Sequence, residues 1–246
     1  MAAAKEGIKQ KVRGWSHHDS ADLYGIDDWG NGYFRISKKG EVTVRLNDED
    51  GGKKDISLCD LLEGLNERGT TVPVLFRFRD LLRSRIAELN ESFRKAIKEA
   101  DYQGHYQGVY PIKVNQQRQV VEEIAEYGTK YDYGLEAGSK PELIAAMAHM
   151  HNPNAYLICN GYKDDEFIDL ALTAQKMGLN IFIVLEMPSE LDAIFARAKK
   201  MDIRPNLGLR VKLAAKGSGL WHESAGDKSV FGLNAAQVLD VVDKLK

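Results

Sequence analysis

Five polar residues close five apolar segments of this sequence at nearly even intervals. The segments end near Lys113, Glu136, Asn160, Glu186 and Arg210, and the intervals are 23, 24, 26 and 24 residues. Lys113 is the residue best suited to chemistry, because a lysine amine can attack a carbonyl group and form a Schiff base. Its position alone equally suits a lysine that pairs with a carboxylate, and most lysines at strand ends do so.

The other four residues could contact a ligand or serve the fold. Glu136 could balance a bound cation or form a structural ion pair. Asn160 and the following Gly161 suit a turn as well as a ligand contact. Arg210 could hold Glu186 or meet a phosphate group.

Other features carry weaker signals. Cys159 has no histidine base placed with it, so we expect a small core residue rather than a nucleophile. The segment Lys216-Gly-Ser-Gly219 resembles a phosphate-binding loop, but a flexible loop explains it as well. His17 and His18 suggest a surface pair. No His/Cys cluster has zinc-site spacing, and the metal ligands, if any, are unknown from the sequence.

The elements that would position these residues follow from the intervals between them. Each interval is too long for a hairpin and holds one amphipathic helix, so adjacent strands should be parallel and in chain order. Ser139 and Glu142 form a predicted capping box, Gly178 ends a helix that starts at Asp164, and Ser189 begins the next one. The carboxyl ends of such strands form the usual ligand site. The period fits a (β/α) barrel or a doubly wound sheet, although too few residues follow Lys113 for eight strands.

The N-terminal part has a different pattern. Alternating residues at 33–36 and 42–46 predict a β-hairpin, and we expect a loop over 47–54, a short helix over 56–65 and an extended run over 74–78. Asp80 is the predicted cap of a long helix whose apolar residues form one buried stripe at Leu82, Ile86, Leu89, Phe93 and Ile97. We therefore divide the chain into a β-hairpin and helix segment, residues 1–73, and the first part of a barrel, residues 74–246.

Composition excludes several classes of protein. The 246 residues are 43% hydrophobic and carry a net charge of −2, so no excess of positive charge argues for nucleic acid or anionic lipid as the main partner. No apolar run is long enough for a membrane span. Two cysteines that are 100 residues apart predict a reducing compartment, which we take to be the cytoplasm.

Several strings resemble the biosynthetic arginine decarboxylases. They run from about Trp15 to the end of the chain, and the most specific is Gly108-Val-Tyr-Pro-Ile-Lys-Val-Asn-Gln116. The others are Tyr133-Gly-Leu-Glu-Ala-Gly-Ser-Lys-Pro-Glu-Leu143, Ile158-Cys-Asn-Gly-Tyr-Lys-Asp164, the opening residues 15–34, and the segment from Gly217 to Leu233. The resemblance implies an α/β fold: part of a (β/α)8 TIM-type barrel of the alanine-racemase-like kind, pyridoxal-phosphate fold type III, after a small β-rich segment.

The same resemblance implies the activity. Family members use pyridoxal 5'-phosphate, with Mg²⁺ as a further cofactor, to decarboxylate L-arginine to agmatine and CO₂ in polyamine and spermidine biosynthesis. Lys113 would be the catalytic lysine that carries the cofactor, and Glu136 and Arg210 would lie around it in supporting roles. We expect a homo-oligomer for the full-length protein.

The sequence departs from the family in two ways. Val230 stands where the family carries a lysine before Phe-Gly, and Lys228 lies two residues earlier. The chain is also much shorter than the family, so we expect a fragment that is inactive alone. The alternatives are an ornithine or diaminopimelate decarboxylase of the same barrel, a non-catalytic pyridoxal-phosphate-binding protein, and a fragment that pairs with longer subunits.

Overall fold

The computed structural model of the chain describes residues 14–47, 52–212 and 229–246. These residues divide into two compact units, one up to Leu81 and one from Leu82 onward. No helix among the described residues combines the length and the apolar content that crossing a bilayer requires.

The first unit is a three-stranded antiparallel sheet with short helices. Its helices are α1 (His17–Leu23), α2 (Ile26–Trp29) and α3 (Leu58–Glu67), and its strands are β1 (Phe34–Ile36), β2 (Val42–Asn47) and β3 (Lys53–Ser57). The strands lie in the order β1-β2-β3. Phe34 pairs with Val44 across β1 and β2, which confirms the predicted hairpin.

Strand β3 corrects two predictions for this unit. Residues 53–54 belong to a strand rather than a loop, and the helix begins at Leu58 rather than at residue 56. Ile56 pairs with Val44 in the register of β2, and Asp55 forms two hydrogen bonds with Arg45 of 2.6 and 2.7 Å. This cross-strand pairing outweighs the weak strand preference of the Lys-Lys-Asp sequence. Residues 48–51 lie outside the described residues.

The segment before the long helix also differs from the prediction. Residues 74–78 form no strand ladder in the described chain. Helix α4 (Arg79–Glu99) begins one residue before Asp80, whose carboxylate instead accepts a hydrogen bond of 2.5 Å from the backbone N–H of Asn47. The predicted buried stripe is incomplete, because Leu89 and Phe93 are 40% and 44% exposed.

The second unit carries five parallel strands in chain order, as predicted. They are β4 (Val109–Pro111), β5 (Gly134–Ala137), β6 (Tyr156–Cys159), β7 (Asn180–Leu185) and β8 (Leu207–Leu209). Helices α5 (Arg118–Gly128), α6 (Lys140–His149), α7 (Asp165–Lys176) and α8 (Ser189–Met201) connect them, and α9 (Ala235–Leu245) follows. Beyond β8, Leu233 makes one isolated parallel bridge to Val211. This alternation is the first part of a (β/α) barrel.

Helix punctuation in this unit follows the sequence closely. Asp164 accepts a hydrogen bond from the N–H of Phe167 at the start of α7, and Gly178 takes a left-handed φ of 95° just after its end. Ser139 caps α6, but the capping box is not reciprocal, because the carboxylate of Glu142 accepts from the N–H of Gly138 instead. The helices pack their apolar faces on strands whose core residues, such as Leu135, Leu157 and Ile183, are fully buried.

Candidate functional site

The five sequence-predicted residues lie at or just beyond the carboxyl ends of the five strands. Glu136 is in β5, and Asn160, Glu186 and Arg210 directly follow β6, β7 and β8. Lys113 lies in a short 3-10 helix, Ile112–Val114, that immediately follows β4. Because β4 and β5 are paired with Pro111 opposite Glu136, the lysine and the glutamate belong to neighbouring strand ends.

Lys113 is held at this edge by its neighbour in the chain. Ile112 is fully buried and anchors the 3-10 helix to the core, whereas the side chain of Lys113 is exposed. Among the described residues, no carboxylate lies within ion-pair distance of its amine. The structure therefore does not bear out the structural pairing that position alone suggested.

Glu136 is a buried carboxylate with one oxygen left over. The residue is only 6% exposed, and its Oε1 accepts a hydrogen bond of 3.0 Å from the side-chain amide of Asn160. Its Oε2 has no hydrogen-bond partner in the described part of the chain. Burying a charged oxygen without a partner costs free energy, so such an atom indicates a donor that another group supplies.

Arg210 is held by Glu186, which is the first of the two roles the sequence left open. The Nη1 atom of Arg210 lies 2.8 and 3.1 Å from the two carboxylate oxygens of Glu186. Glu186 is fully buried, whereas the Arg210 side chain is 50% exposed. The guanidinium also lies over the ring of Phe231, with its carbon 5.8 Å from the ring centroid. Its exposed part remains available to an anion.

Gly161 brings the loop after β6 close to the loop after β5. Its φ is 75°, a left-handed value, and a Cβ atom at this position would lie 2.3 Å from the carbonyl oxygen of Gly138. Its N–H donates a hydrogen bond of 2.8 Å to Oε1 of Glu186. Glycine is thus required here both by backbone conformation and by space.

Sequence reasoning missed a buried ion pair behind this edge. The amine of Lys163 lies 3.5 Å from the carboxylate of Glu190, and both side chains are almost fully buried. Burial lowers the pKa of Lys163, against the opposing effect of Glu190 and Glu186. The one signal in the sequence was Glu190, which lies in the first turn of the helix after the strand that ends at Glu186.

Cys159 behaves as the predicted core residue. Its side chain is buried in β6, and burial raises the pKa of its thiol to about 12. Such a thiol is protonated at neutral pH and is a poor nucleophile.

One cavity among the described residues lies apart from Lys113, Glu136 and Arg210, none of which lines it. It has a volume of about 500 Å³, opens between the N-terminal ends of α7 and α8, and is lined by Tyr162, Lys163, Asp164, Asp165, Glu166, Ser189, Glu190 and Ala193. Its acidic rim is paired internally, since Lys140 contacts Asp164 and Glu166 and Arg197 contacts Asp165. We therefore place the candidate site at the strand ends and not in this cavity.

The structure describes only the end of the segment from Gly217 to Leu233. The predicted phosphate loop Lys216–Gly219 and Lys228 lie outside the described residues. The end of that segment returns to the site, since the N–H of Gly232 donates a hydrogen bond of 2.9 Å to the carbonyl of Glu186. Val230 is highly exposed.

Comparison with known proteins shows the family of the chain. Residues 84–246 match the family model described as "Pyridoxal-dependent decarboxylase, pyridoxal binding domain". The chain belongs to this family. The matched residues contain all five strand-end positions, so the candidate site lies within a pyridoxal-binding domain.

Individual relatives are similar over nearly the whole chain. The biosynthetic arginine decarboxylase of Gloeobacter violaceus is 49% identical over 235 residues, which cover 96% of this chain and 36% of that protein. The one of Rhodopirellula baltica is 47% identical and covers 94% and 34%, respectively. This chain therefore spans about a third of the length of these relatives.

Solved structures support the same fold. The biosynthetic arginine decarboxylase of Campylobacter jejuni superposes with a TM-score of 0.77 at 38% identity, covering 90% of this chain and 35% of that one. Diaminopimelate decarboxylase from M. jannaschi gives a TM-score of 0.61 at 20% identity, covering 88% and 45%. The second unit is thus the first part of an alanine-racemase-like barrel.

The strand-end residues fit pyridoxal phosphate. Lys113 offers an exposed amine for the aldehyde carbon, and the open Oε2 of Glu136 offers a buried acceptor. The exposed part of Arg210 offers a cation to the ligand's anionic groups. No cluster of three or more His, Cys, Asp or Glu residues that could hold a metal ion occurs in residues 14–47, 52–212 or 229–246.

Proposed function

We propose that this chain is the cofactor-binding part of a biosynthetic arginine decarboxylase. The complete enzyme would convert L-arginine to agmatine and CO₂, a step in polyamine and spermidine biosynthesis. Identities of 43–49% to proteins of that name over more than nine-tenths of the chain support this substrate class. The diaminopimelate decarboxylases, at 19–20% identity, share the fold alone.

The observation that carries the proposal is the placement of Lys113 and Glu136 at neighbouring strand ends. The exposed amine of Lys113 has no carboxylate partner in the described chain. The buried Oε2 of Glu136 has no hydrogen-bond donor there, which costs free energy. A group that bonds to the amine and donates a proton toward the carboxylate satisfies both.

Each residue then has a defined task. Lys113 holds the cofactor by its amine, Glu136 accepts a hydrogen bond from it through Oε2, and Arg210 binds an anionic group with its exposed guanidinium edge. Pyridoxal phosphate, when bound, takes up the electron pair that the departing CO₂ leaves on the α-carbon of arginine. A proton takes the place of the carboxylate at that carbon in agmatine.

Several finer features belong to the same proposal. We keep the sequence-based division into residues 1–73 and 74–246, Mg²⁺ as a second cofactor, a cytoplasmic location and a homo-oligomer for the full-length enzyme. We assign no Mg²⁺ ligands, because none of the described residues form a suitable cluster.

Chemical trapping tests the assignment of Lys113. We expect borohydride treatment of the chain with pyridoxal phosphate to fix the cofactor on Lys113, as located by peptide mass mapping. Lys113→Ala should remove the label, and Lys130→Ala, which alters an exposed lysine beside Tyr127, should retain it. Label mainly on Lys140, Lys163 or Lys228 would contradict the proposal.

A further inference from the structure

A closed ring of hydrogen bonds lies directly behind the candidate site. It joins the loop after β6 to the loop after β7 and contains the buried pair Lys163 and Glu190. Both side chains are almost fully buried.

Glu190 organises the loop after β7. Its Oε2 accepts hydrogen bonds from the backbone N–H of Glu186 at 2.8 Å and of Met187 at 3.4 Å. Its Oε1 accepts from the backbone N–H of Lys163 at 3.2 Å. A carboxylate from the first turn of α8 therefore fixes the backbone of three residues on two loops.

Lys163 closes the ring on the other side. Its amine donates a hydrogen bond of 2.6 Å to the carbonyl of Gly161 and lies 3.5 Å from Glu190. The N–H of Gly161 in turn donates to the side chain of Glu186. The path thus runs from Glu186 to Glu190, Lys163 and Gly161, and back to Glu186.

The ring connects to both proposed cofactor contacts. Glu186 holds the guanidinium of Arg210, and Gly161 follows Asn160, whose amide holds Glu136. We propose that Lys163 and Glu190 are positioning residues of the cofactor site: together they fix Arg210 through Glu186 and Glu136 through the loop of Asn160 and Gly161. This inference rests on the proposed function.

The energetics favour positioning over simple stabilisation. Taking an ammonium and a carboxylate out of water costs several kcal/mol per ion, and apolar residues of similar volume often serve stability as well. Glu190 accepts three hydrogen bonds from backbone N–H groups, and the amine of Lys163 donates a fourth to the carbonyl of Gly161. Each of the four holds a loop at the strand ends. Rigid support of this kind sets the geometry of a binding site.

The test compares this pair with another buried carboxylate, that of Glu123, which lies within helix α5. The variants are Lys163→Met, Glu190→Gln and the double variant, and the control is Glu123→Gln, which alters a buried carboxylate paired with Arg83. Lys163→Met is the milder change, because the Glu190 carboxylate keeps its three backbone donors. It therefore tests the proposal even if Glu190→Gln does not fold.

The first measurement is amide hydrogen exchange without cofactor. At matched loss of thermal stability, we expect the Gly161 N–H to exchange at least about tenfold faster in Lys163→Met than in Glu123→Gln. Exchange at Ile183, in the core of β7, should match between the two. A uniform increase at Gly161, Glu186 and Ile183 in every variant would overturn the proposal, because it indicates stabilisation only.

The second measurement is the dissociation constant of pyridoxal phosphate, from absorbance titration. We expect it to rise by about tenfold in Lys163→Met, as loss of positioning implies, and to stay unchanged in Glu123→Gln. Equal binding by the unaltered chain and Lys163→Met would overturn the positioning role. Absence of binding by the unaltered chain would contradict the proposed function. If exchange at Gly161 were still selectively faster in Lys163→Met, the result would support the ring as the structure that fixes Arg210.

Discussion

At the scale of single residues, Glu136 is a buried carboxylate that the fold satisfies only in part, as we expect of a residue that binds a ligand. The fold buries its carboxylate and supplies one hydrogen bond, from Asn160, while the second oxygen faces no described donor. Sites that bind ligands often hold groups that the empty fold does not fully satisfy, and the ligand recovers that free energy.

Substitution of Glu136 by glutamine should therefore have opposite effects on two quantities. We expect Glu136→Gln to raise the free energy of unfolding of the cofactor-free chain by about 1 kcal/mol, because a neutral amide is less costly to bury than a carboxylate. The dissociation constant of pyridoxal phosphate should increase about tenfold, since a charge-assisted hydrogen bond is worth about 1.5–3 kcal/mol. Urea unfolding and absorbance titration measure the two.

Glu126→Gln, on the exposed face of α5, is the matched control and should change neither quantity. A parallel loss of stability and affinity in Glu136→Gln would argue that the carboxylate serves the fold.

The two cysteines should differ sharply in reactivity. Cys59 is exposed, whereas burial raises the pKa of Cys159 to about 12 from an ordinary 9.0. At pH 8 this shift lowers the thiolate fraction of Cys159 by about a thousandfold, and thiolate is the reactive form. We expect iodoacetamide to modify only Cys59 in the folded chain and both cysteines in guanidinium. Rapid labelling of Cys159 in the folded chain would show that β6 opens readily.

At the scale of elements, helix α7 is tied to α6 through its first turn. Asp164 caps α7 by accepting from the N–H of Phe167, and its carboxylate lies 2.7 Å from the amine of Lys140. Lys140 lowers the pKa of Asp164, as does the hydrogen bond from Phe167. The pKa of Lys140 is raised to about 12, by Asp164 and then by Glu166.

The sign of these shifts fixes a pH window for the contact. A carboxylate with a lowered pKa stabilises the fold above its unfolded pKa of 3.8 and loses this effect as the pH falls through the folded value. A lysine with a raised pKa stabilises the fold below 10.5 and loses the effect as the pH rises through about 12.

Asp164→Asn removes the charge and keeps a good helix cap. The unaltered chain should be more stable than this variant at pH 7 in low salt. The difference should shrink below pH 3.8, between pH 10.5 and about 12, and in about 1 M salt, where exposed charges are screened. Thermal unfolding across this range measures it. A difference that does not depend on pH would mean that the two caps, and not the ion pair, differ.

At the scale of the whole molecule, the site is built on one side of an incomplete ring. The strands of the second unit form a five-stranded sheet from β4 to β8, whereas a complete (β/α) barrel has eight strands and carries its ligand site at their carboxyl ends. Lys113, Glu136 and Arg210 thus surround only part of the space that the cofactor would occupy.

We therefore expect the purified 246-residue chain to release no CO₂ from labelled arginine above background, with pyridoxal phosphate and Mg²⁺ present. Positioning of reacting groups accounts for roughly 7–11 kcal/mol of a barrier, and an incompletely surrounded cofactor loses much of it. The full-length relative from Gloeobacter violaceus, assayed in parallel, is the positive control. Turnover by this chain near that of the relative would show that these residues suffice.

The periodic part of the chain was readable from the sequence. Even intervals between Lys113 and Arg210, together with signals such as Ser139 and Gly178, predict parallel strands in the observed order, because hydrophobic period and helix caps are local properties. The polar residues at the strand ends follow from the same pattern. The family follows from the specific string around Lys113.

Tertiary structure decided what local pattern could not. Strand β3 forms because Ile56 and Asp55 find partners on β2, and Asp80 serves Asn47 rather than its own helix. Pairing across distant segments also selects Glu186 as the partner of Arg210 and leaves Lys113 unpaired in the described chain. The ring through Lys163 and Glu190 joins residues 27 positions apart, so the free energy of that contact depends on burial and distance, which only the folded chain defines.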